Sequence, residues 1–361
     1  MRRGAAAGSA RRRAGGPGTG DRLMPRRTRV ELAQIAAWDN LECALWAAAR
    51  GKHGRPEVAA FLAAAPAALA LVQAALAAGR LPVGSFRRFA IRDPKPRVIH
   101  AAPFPDRVAH HALVRLLEPR LELALVPTSF ACRPGLGAQA AILHARECAR
   151  RWPWYLKLDV EHYFPNIPHD RLLALLARRF KGSVLGLIRQ VLATHQAAPG
   201  CGLPIGALTS QHFANQYLGE ADRYALARPE CRAHARYMDD LILWCDGRAQ
   251  GRALHGALSA YLGETLGLRL KPPCLMPSAA GLGFCGMRIY PGTIKLGARR
   301  RRAWSQGRRR WEGRWERGEI GAAQLQRAYD SLWSATLPAD SRSLRRAQLV
   351  RRPAPDPGPA P

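Results

Sequence analysis

Apolar residues recur at helical spacing in the first third of the chain. This pattern predicts helices over residues 30–79 and around residues 108–117, with a strand-like stretch at residues 86–100 between them. The longest apolar run, residues 61–78, consists mostly of alanine and is interrupted by Pro66. Because alanine transfers little free energy to lipid, the run predicts a helix of a soluble protein rather than a membrane span.

Shorter apolar runs in the middle of the chain predict strands. Residues 154–160 have the continuous pattern of a buried strand, and a leucine-rich helix is predicted to follow over residues 168–180. A glycine-punctuated loop at residues 199–206 leads into a further helix. Residues 236–244 have the pattern of two short strands around an acidic turn, and residues 283–290 have that of one more strand.

The composition changes beyond Lys295, where arginine becomes frequent. Trp304, Trp311 and Trp315 fall on one face of a predicted helix. We interpret this segment as an amphipathic basic helix with a stripe of tryptophans.

Basic residues outnumber acidic ones by 56 to 26, which gives the chain a formal charge of +30. So much charge of one sign favours a polyanionic partner, with nucleic acid as the first candidate and an anionic membrane surface as the second. The eight cysteines are scattered, without a CxxC pair or a Cys/His cluster. We therefore expect reduced thiols in a cytoplasmic protein.

Asp239 and Asp240 are adjacent carboxylates inside an otherwise apolar strand pattern. Because burial of an unpaired carboxylate is unfavourable, they are either solvated in a hairpin turn or bound to a divalent cation. A second apolar strand carries a single aspartate, Asp159, which favours the cation. Carboxylates from two strands and a basic surface predict a phosphoryl-transfer site with two metal ions.

Residues 237–240, Tyr-Met-Asp-Asp, match the catalytic signature of reverse transcriptases, and Leu158-Asp159-Val160 with the aromatic residues after it resembles the first palm motif of that family. The resemblance implies that Asp159 and Asp239 ligate two Mg²⁺ ions. It also implies that Asp240 is the less direct carboxylate and that the backbone carbonyl of Val160 contributes to one metal site.

The resemblance further implies a binding site for the incoming deoxynucleotide. Lys95 and Arg97 share one strand face and resemble the cations that hold the triphosphate, although an exposed basic strand edge is the alternative. Phe164 is expected beneath the sugar, where it would exclude a 2′-hydroxyl, with its neighbour Tyr163 in the core. Lys271 is expected near the leaving pyrophosphate.

Other positions resemble the parts of the family that hold template and primer. The basic tryptophan-striped helix would be the thumb, with its arginines on phosphates, and a solvated arginine face is the alternative. The segment 284–289 resembles the primer-grip hairpin, but Cys285 and Met287 depart from its pattern. The residues expected to contact template or primer are Arg133, Gly206, Tyr237, Met238, Gly286, Arg308 and Arg309.

The loop before residue 211 indicates a subfamily. Ile205-Gly206 followed by Ser210-Gln211 resembles the reverse transcriptases of diversity-generating retroelements, where the altered loop goes with error-prone copying of template adenines. Gln211 would contact the nucleotide there, or it is simply a polar residue at a helix N-terminus. The alternatives are another bacterial reverse transcriptase, retron-like or defence-associated, and a non-catalytic RNA-binding relative.

The function implied is cDNA synthesis from dNTPs on an RNA template and a DNA primer, in the bacterial cytoplasm and without a membrane. Retroelement membership would add a template-repeat RNA and a small basic accessory protein as partners. Because little sequence follows the predicted thumb, we expect no RNase H or intron endonuclease domain.

The fold implied is α+β, a right-hand polymerase with fingers, a palm made of an antiparallel sheet backed by helices, and a helical thumb. The expected divisions are a basic disordered tail at residues 1–28, with Met24 as an alternative start, fingers with N-terminal helices at 29–150, the palm at 151–292, the thumb at 293–350 and a proline-rich disordered tail at 351–361.

Overall fold

A computed structural model describes residues 27–82, 84–92 and 96–355 of the chain. Lys95, most of the predicted N-terminal tail and residues 356–361 lie outside the described residues. The helices are α1 Leu32–Ile35, α2 Trp38–Ala49, α3 Pro56–Ala63, α4 Ala65–Ala77, α5 Phe104–Glu122, α6 Ala138–Arg151, α7 Tyr163–Asn166, α8 His169–Ala177, α9 Val184–Ala193, α10 Leu208–Leu226, α11 Arg248–Tyr261, α12 Ala298–Glu316, α13 Ala322–Ser334 and α14 Arg342–Arg351. The strands are β1 Thr28–Arg29, β2 Arg87–Arg92, β3 Pro96–Ala101, β4 Trp154–Asp159, β5 Phe180–Lys181, β6 Ala233–Tyr237, β7 Asp240–Cys245, β8 Cys274–Pro277, β9 Leu282–Phe284, β10 Met287–Ile289 and β11 Ile294–Leu296.

The helical prediction for residues 30–79 is confirmed, as four separate helices. Pro66 lies in the first turn of α4, where a missing N–H leaves no hydrogen bond unmade, and α3 and α4 meet at an angle of 93°. Within the described ranges no single helix is long and apolar enough to cross a membrane. The bent pair of α3 and α4 passes that test only as a pair, by length and composition.

The centre of the molecule is an antiparallel four-stranded sheet in the order β6-β7-β4-β8. Because side chains alternate along a strand, the two central strands, β4 and β7, each contribute to two cores. Leu156 and Leu158 of β4 pack into the larger core with α10 and α11, whereas Tyr155 packs into a smaller core with α6 and β10. The predicted buried strand at residues 154–160 is therefore confirmed.

Two stretches predicted as single strands are hairpins. Residues 86–100 contain β2 and β3, which pair with each other in register from Arg87 opposite Ala101. Residues 283–290 contain β9 and β10, joined by the two-residue turn Cys285–Gly286, in which both residues have positive φ. Left-handed turn residues match the twist of a two-residue hairpin, and this lets the chain reverse where the apolar pattern alone predicted continuity.

The last residue of the predicted N-terminal tail and the first residue of the predicted C-terminal tail lie within regular structure. Thr28 belongs to β1, which pairs in parallel with β5, and Arg351 is the last residue of α14. The predicted helix over residues 168–180 also ends early, since α8 stops at Ala177 and Phe180 lies in β5 with its side chain buried. Small pairings of two residues such as β1 with β5 leave no periodic signal in a sequence.

Candidate active site

The central sheet brings the three predicted aspartates to one edge. Asp159 ends β4 and lies opposite Asp240, the first residue of β7, in the antiparallel register. Asp239 occupies the two-residue turn between β6 and β7, with Tyr237 opposite Asp240 on either side of it. Since directly opposed residues share a face of the sheet, the carboxylates of Asp159 and Asp240 point to the same side.

The backbone of Val160 is turned toward the same edge. Flanking hydrogen bonds run from Glu161 N–H to Arg269 C=O at 2.8 Å and from Lys271 N–H to Asp159 C=O at 2.9 Å. Val160 and Leu270 are therefore a pair without mutual hydrogen bonds, and the Val160 carbonyl points away from Leu270. That direction is the side on which β7 and the acidic turn, residues 237–240, lie.

Two lysines are paired with the aspartates. Lys271 Nζ lies 2.6 Å from Asp159 Oδ1, and Lys157 Nζ lies 3.0 Å from Asp240 Oδ1. Lys157 also donates to the carbonyl of Gly283 in β9 at 3.0 Å, so it ties the edge of the sheet to the β9–β10 hairpin. The sequence prediction missed Lys157, although its place two residues before Asp159 on a strand puts it on the same face.

The environment of Asp239 disfavours its negative charge. Burial raises its pKa above the ordinary aspartate value, and the neighbouring charges of Asp159 and Asp240 raise it further, while Lys271 lowers it. A bound divalent ion would offset both the burial and the repulsion.

The donor chemistry fits a hard divalent cation, since three carboxylates and one carbonyl oxygen converge on this edge. Among residues 27–82, 84–92 and 96–355, no three His, Cys, Asp or Glu side chains are grouped so that they could hold a metal ion. In this structure the carboxylates of Asp159 and Asp240 are paired with lysines. The predicted pair of Mg²⁺ ions therefore stays a prediction that the donor set supports.

The two aromatic residues after Asp159 have different environments. Tyr163 is buried, and its hydroxyl donates to the carbonyl of Ala214 in α10. Phe164 is half-buried and meets the Tyr163 ring edge-on, with 5.7 Å between ring centroids. The predicted place of Tyr163 in the core is confirmed, whereas the role of Phe164 beneath the sugar stays a prediction.

The β2–β3 hairpin presents Arg97 to solvent. Arg97 and Ile99 share a strand face, and a side chain at Gly206 would approach Ile99 to 2.9 Å. Gly206 has a φ of +115°, and the preceding Ile205 carbonyl accepts from His100 N–H at 2.8 Å. Gly206 therefore lets the loop approach β3 closely, which places the Arg97 face beside the loop.

Gln211 of α10 is connected to the acidic turn through a cysteine. Cys132 Sγ lies 3.7 Å from Gln211 Oε1 and 3.7 Å from Met238 Sδ. The sequence prediction did not single out Cys132, because a lone cysteine carries no pattern. Tyr237, half-buried at the other end of the turn, has its pKa raised by burial and then by the nearby Cys285 and Cys132.

Two arginines predicted to contact nucleic acid are instead engaged inside the protein. Arg133 donates to Glu122 at 2.8 Å and to the carbonyls of Val126 and Ser129. Arg308 is 3% exposed and is bound to Glu312, four residues further along α12. Their guanidinium groups hold the fold together, which corrects both predictions of direct template or primer contact.

Arg309 is exposed on α12, and its predicted phosphate contact stays a prediction. Gly286 occupies the β9–β10 turn with a φ of +76°, and its carbonyl accepts from Gly297 N–H at 3.1 Å. A Cβ there would meet only the outer part of the flexible Arg300 side chain, so the positive φ rather than the packing favours glycine at this position.

Comparison with known proteins agrees with this geometry. A family model described as reverse transcriptase (RNA-dependent DNA polymerase) matches residues 92–273, half of the chain. The chain belongs to the reverse transcriptase family. The matched segment contains β3, β4, the acidic turn and Lys271. The predicted α+β class and right-hand polymerase fold are thereby confirmed, whereas the boundaries between fingers, palm and thumb stay predictions.

The similar curated proteins are proteins of introns. An uncharacterized 91 kDa protein in the cob intron of Schizosaccharomyces pombe is 28% identical over 126 residues, 33% of this chain and 16% of that protein. Nuclear intron maturase 1, mitochondrial, of Arabidopsis thaliana is 32% identical over 90 residues, 25% of this chain and 13% of that protein. This reverse transcriptase chain thus aligns with only a small part of each relative, and neither relative supports the retroelement resemblance.

Among solved structures, apo telomerase from Candida tropicalis, truncated from its C-terminal domain, is similar with a TM-score of 0.46 and 13% identity. The similarity covers 59% of this chain and 54% of the telomerase chain. Telomerase from Candida tropicalis in complex with a fragment of telomeric RNA has a TM-score of 0.47 and 11% identity, over 74% of this chain and 55% of that chain.

Proposed function

We propose that the protein is an RNA-directed DNA polymerase, which adds deoxynucleoside monophosphates to the 3′-hydroxyl of a DNA primer on an RNA template. The observation that carries the proposal is the meeting of Asp159, Asp239 and Asp240 at one sheet edge, inside the segment that matches the reverse transcriptase family. Three neighbouring carboxylates repel one another, and a bound divalent cation of the kind that this reaction uses would offset the repulsion.

The chain's own residues supply binding and orientation. Asp159, Asp239 and the Val160 carbonyl would hold Mg²⁺, and two such ions would activate the primer hydroxyl and stabilise the leaving pyrophosphate. Arg97, with Lys95 as its proposed partner, would neutralise the triphosphate. Phe164 would lie under the sugar and exclude a 2′-hydroxyl.

Lys271 Nζ lies 2.6 Å from Asp159 Oδ1. From that position the lysine would place a positive charge near the leaving pyrophosphate.

The proposal is tested by primer extension on an RNA template with Mg²⁺ and dNTPs. We expect labelled DNA products from the wild-type chain and a loss of about 1,000-fold or more in rate from Asp239→Asn combined with Asp240→Asn. Asp246→Asn is the matched control, because Asp246 is an exposed aspartate just after β7 that is paired with Arg232. Equal rates for the double variant and the control would refute the proposed catalytic centre.

We further propose that the polymerase is the error-prone enzyme of a bacterial diversity-generating retroelement, acting in the cytoplasm with a template-repeat RNA and a small basic accessory protein. The support is the sequence Ile205-Gly206 with Ser210-Gln211, together with the link from Gln211 through Cys132 to Met238. The competing proposal is an intron-type reverse transcriptase, and the similarity to intron proteins favours it.

Sequencing the cDNA separates these two proposals. The retroelement proposal predicts that misincorporation concentrates at template adenines, whereas an intron-type enzyme would show no excess of errors at adenines. The same template with its adenines replaced by guanines serves as the control. An error rate at adenines no higher than at the other three bases would contradict retroelement membership while leaving the polymerase proposal intact.

A further inference from the structure

Directly beneath the acidic turn lies a group of buried polar side chains that the proposed chemistry does not use. Arg236 of β6 and Asp222 of α10 have fully buried side chains, and Asn215 of α10 is 3% exposed. Burying a charged pair is unfavourable unless its geometry satisfies nearly every donor and acceptor. Arg236 lies three residues before Asp239 in the sequence, so the pair is next to the acidic turn.

The acidic turn contains a backbone conformation that needs support. Met238 has a φ of +57°, in the left-handed region that a residue with a side chain occupies reluctantly. Arg236 Nη1 donates to the Met238 carbonyl at 3.0 Å. The buried guanidinium therefore contacts the strained residue directly, one peptide away from Asp239.

The guanidinium is itself held on every side. Its Nε donates to both carboxylate oxygens of Asp222, at 2.8 and 2.9 Å, and its Nη1 donates to Asn215 Oδ1 at 2.7 Å. Its Nη2 donates to the backbone carbonyl of Asn215 at 3.0 Å. Asp222 also lies 3.1 Å from His234 Nε2. Although burial alone would raise the pKa of Asp222, Arg236 and His234 lower it to about 2.

The main chain of Arg236 is fixed in the same way. Its N–H donates to the Thr128 carbonyl at 2.9 Å, and its carbonyl accepts from Phe130 N–H at 2.9 Å. Only the planar fork of arginine can satisfy a carboxylate, an amide and a turn carbonyl at once, whereas lysine would have to leave some of them unbound.

We propose that Arg236, held by Asp222 and Asn215, is a positioning residue that fixes the Met238 carbonyl and so determines where Asp239 and Asp240 stand. The inference about conformation stands on the contacts alone, and its kinetic consequence rests on the proposed polymerase function.

The test compares Arg236→Lys with Arg179→Lys. Arg179 is also buried, but its hydrogen bonds go to Gln216 and Glu220 of the same helix, α10, rather than to the acidic turn. Both variants are followed by thermal unfolding, by amide hydrogen exchange of the peptide spanning residues 237–241, and by primer extension with separate measurement of kcat and of the Kd for template–primer.

We expect faster exchange at residues 237–241 only in Arg236→Lys, together with a kcat about 10- to 100-fold below that of Arg179→Lys and an unchanged Kd for template–primer. Equal exchange at the turn in the two variants, or equal kcat, would overturn the proposal. If wild-type protein makes no DNA, the polymerase function fails, and the exchange measurement alone then decides the positioning role.

A second variant covers the case in which Arg236→Lys does not fold. Asn215→Ala keeps the Arg236–Asp222 pair and removes the amide that holds Nη1, so it loosens the guanidinium without leaving an unpaired buried charge. The expected result is faster exchange at residues 237–241 with a smaller fall in kcat than for Arg236→Lys. Exchange as slow as in wild type would count against the proposal.

Discussion

At the scale of single residues, the negative charge of Asp239 lowers the stability of the metal-free fold. Its carboxylate is partly buried, and the charges of Asp159 and Asp240 lie nearby, so its pKa is raised. Between the pKa of an unfolded aspartate and this higher value, the folded chain binds more protons than the unfolded chain does. Without metal, stability therefore falls as the pH rises through that window and stays lower above it.

We expect Asp239→Asn to stabilise the metal-free protein at pH 7, by about 1 kcal/mol, because it removes a partly buried charge and its repulsion. Urea unfolding in the presence of a chelator measures the effect. Added Mg²⁺ should then stabilise wild type more than the variant, because a ligand stabilises only the state that binds it.

Asp246→Asn is the control for this experiment. That aspartate is exposed and paired with Arg232, and surface changes of this kind usually alter the free energy of unfolding by less than about 0.5 kcal/mol. Destabilisation by Asp239→Asn in metal-free buffer would contradict this prediction, because it would show that neighbouring groups stabilise the Asp239 carboxylate without a metal ion.

At the scale of elements, the sequence predicts the strands that contain the aspartates better than it predicts the side-chain contacts between those strands and the helices packed on them. Asp159 and the acidic turn were predicted because carboxylates within apolar strands are exceptional. Arg236 and Asp222 were not, since 14 residues separate them and their contact depends on how α10 lies against β6. No local spacing reports such a contact.

The family resemblance implied the β9–β10 hairpin, whereas the apolar pattern alone predicted one continuous strand there. Its turn is Cys285–Gly286, and cysteine is not among the residues that usually mark a left-handed turn position. With only three residues in each strand, the apolar pattern continues across the turn without a polar break.

Helix α12 shows how a stripe can mislead. The tryptophan stripe led us to expect the arginines, Arg308 among them, on phosphates, yet the buried residues of this helix are Trp304, Arg308 and Glu312, at successive four-residue steps. Glu312 also accepts from Tyr329 of α13 at 2.7 Å and pairs with Arg352 after α14 at 2.8 Å. An i,i+4 arginine–glutamate pair was visible in the sequence, but its burial depends on how α12 packs against α13 and α14.

At the scale of the whole molecule, positive charge is not confined to the face that would hold nucleic acid. The chain carries a formal charge of +30. Helix α11 packs on the side of the central sheet opposite the carboxylates of Asp159 and Asp240, since Leu254 shares a core with Leu156 and Leu158. Arg252 is exposed on this helix, whereas Arg309 is exposed on α12. Both arginines would contribute to the long-range attraction of nucleic acid, but we expect only Arg309 to contact a phosphate directly.

We expect binding of an RNA–DNA primer duplex to weaken steeply with salt, because each neutralised phosphate releases counterions. The measurement is the slope of log Kd against log salt concentration, by fluorescence anisotropy. Arg309→Gln should reduce the magnitude of this slope by about one, the loss of one phosphate contact, and Arg252→Gln should leave it unchanged. Both variants lose one charge, so any difference between them reports contact and not net charge. Equal slopes would show that Arg309 does not contact the template–primer and contributes only through the overall positive charge of the protein.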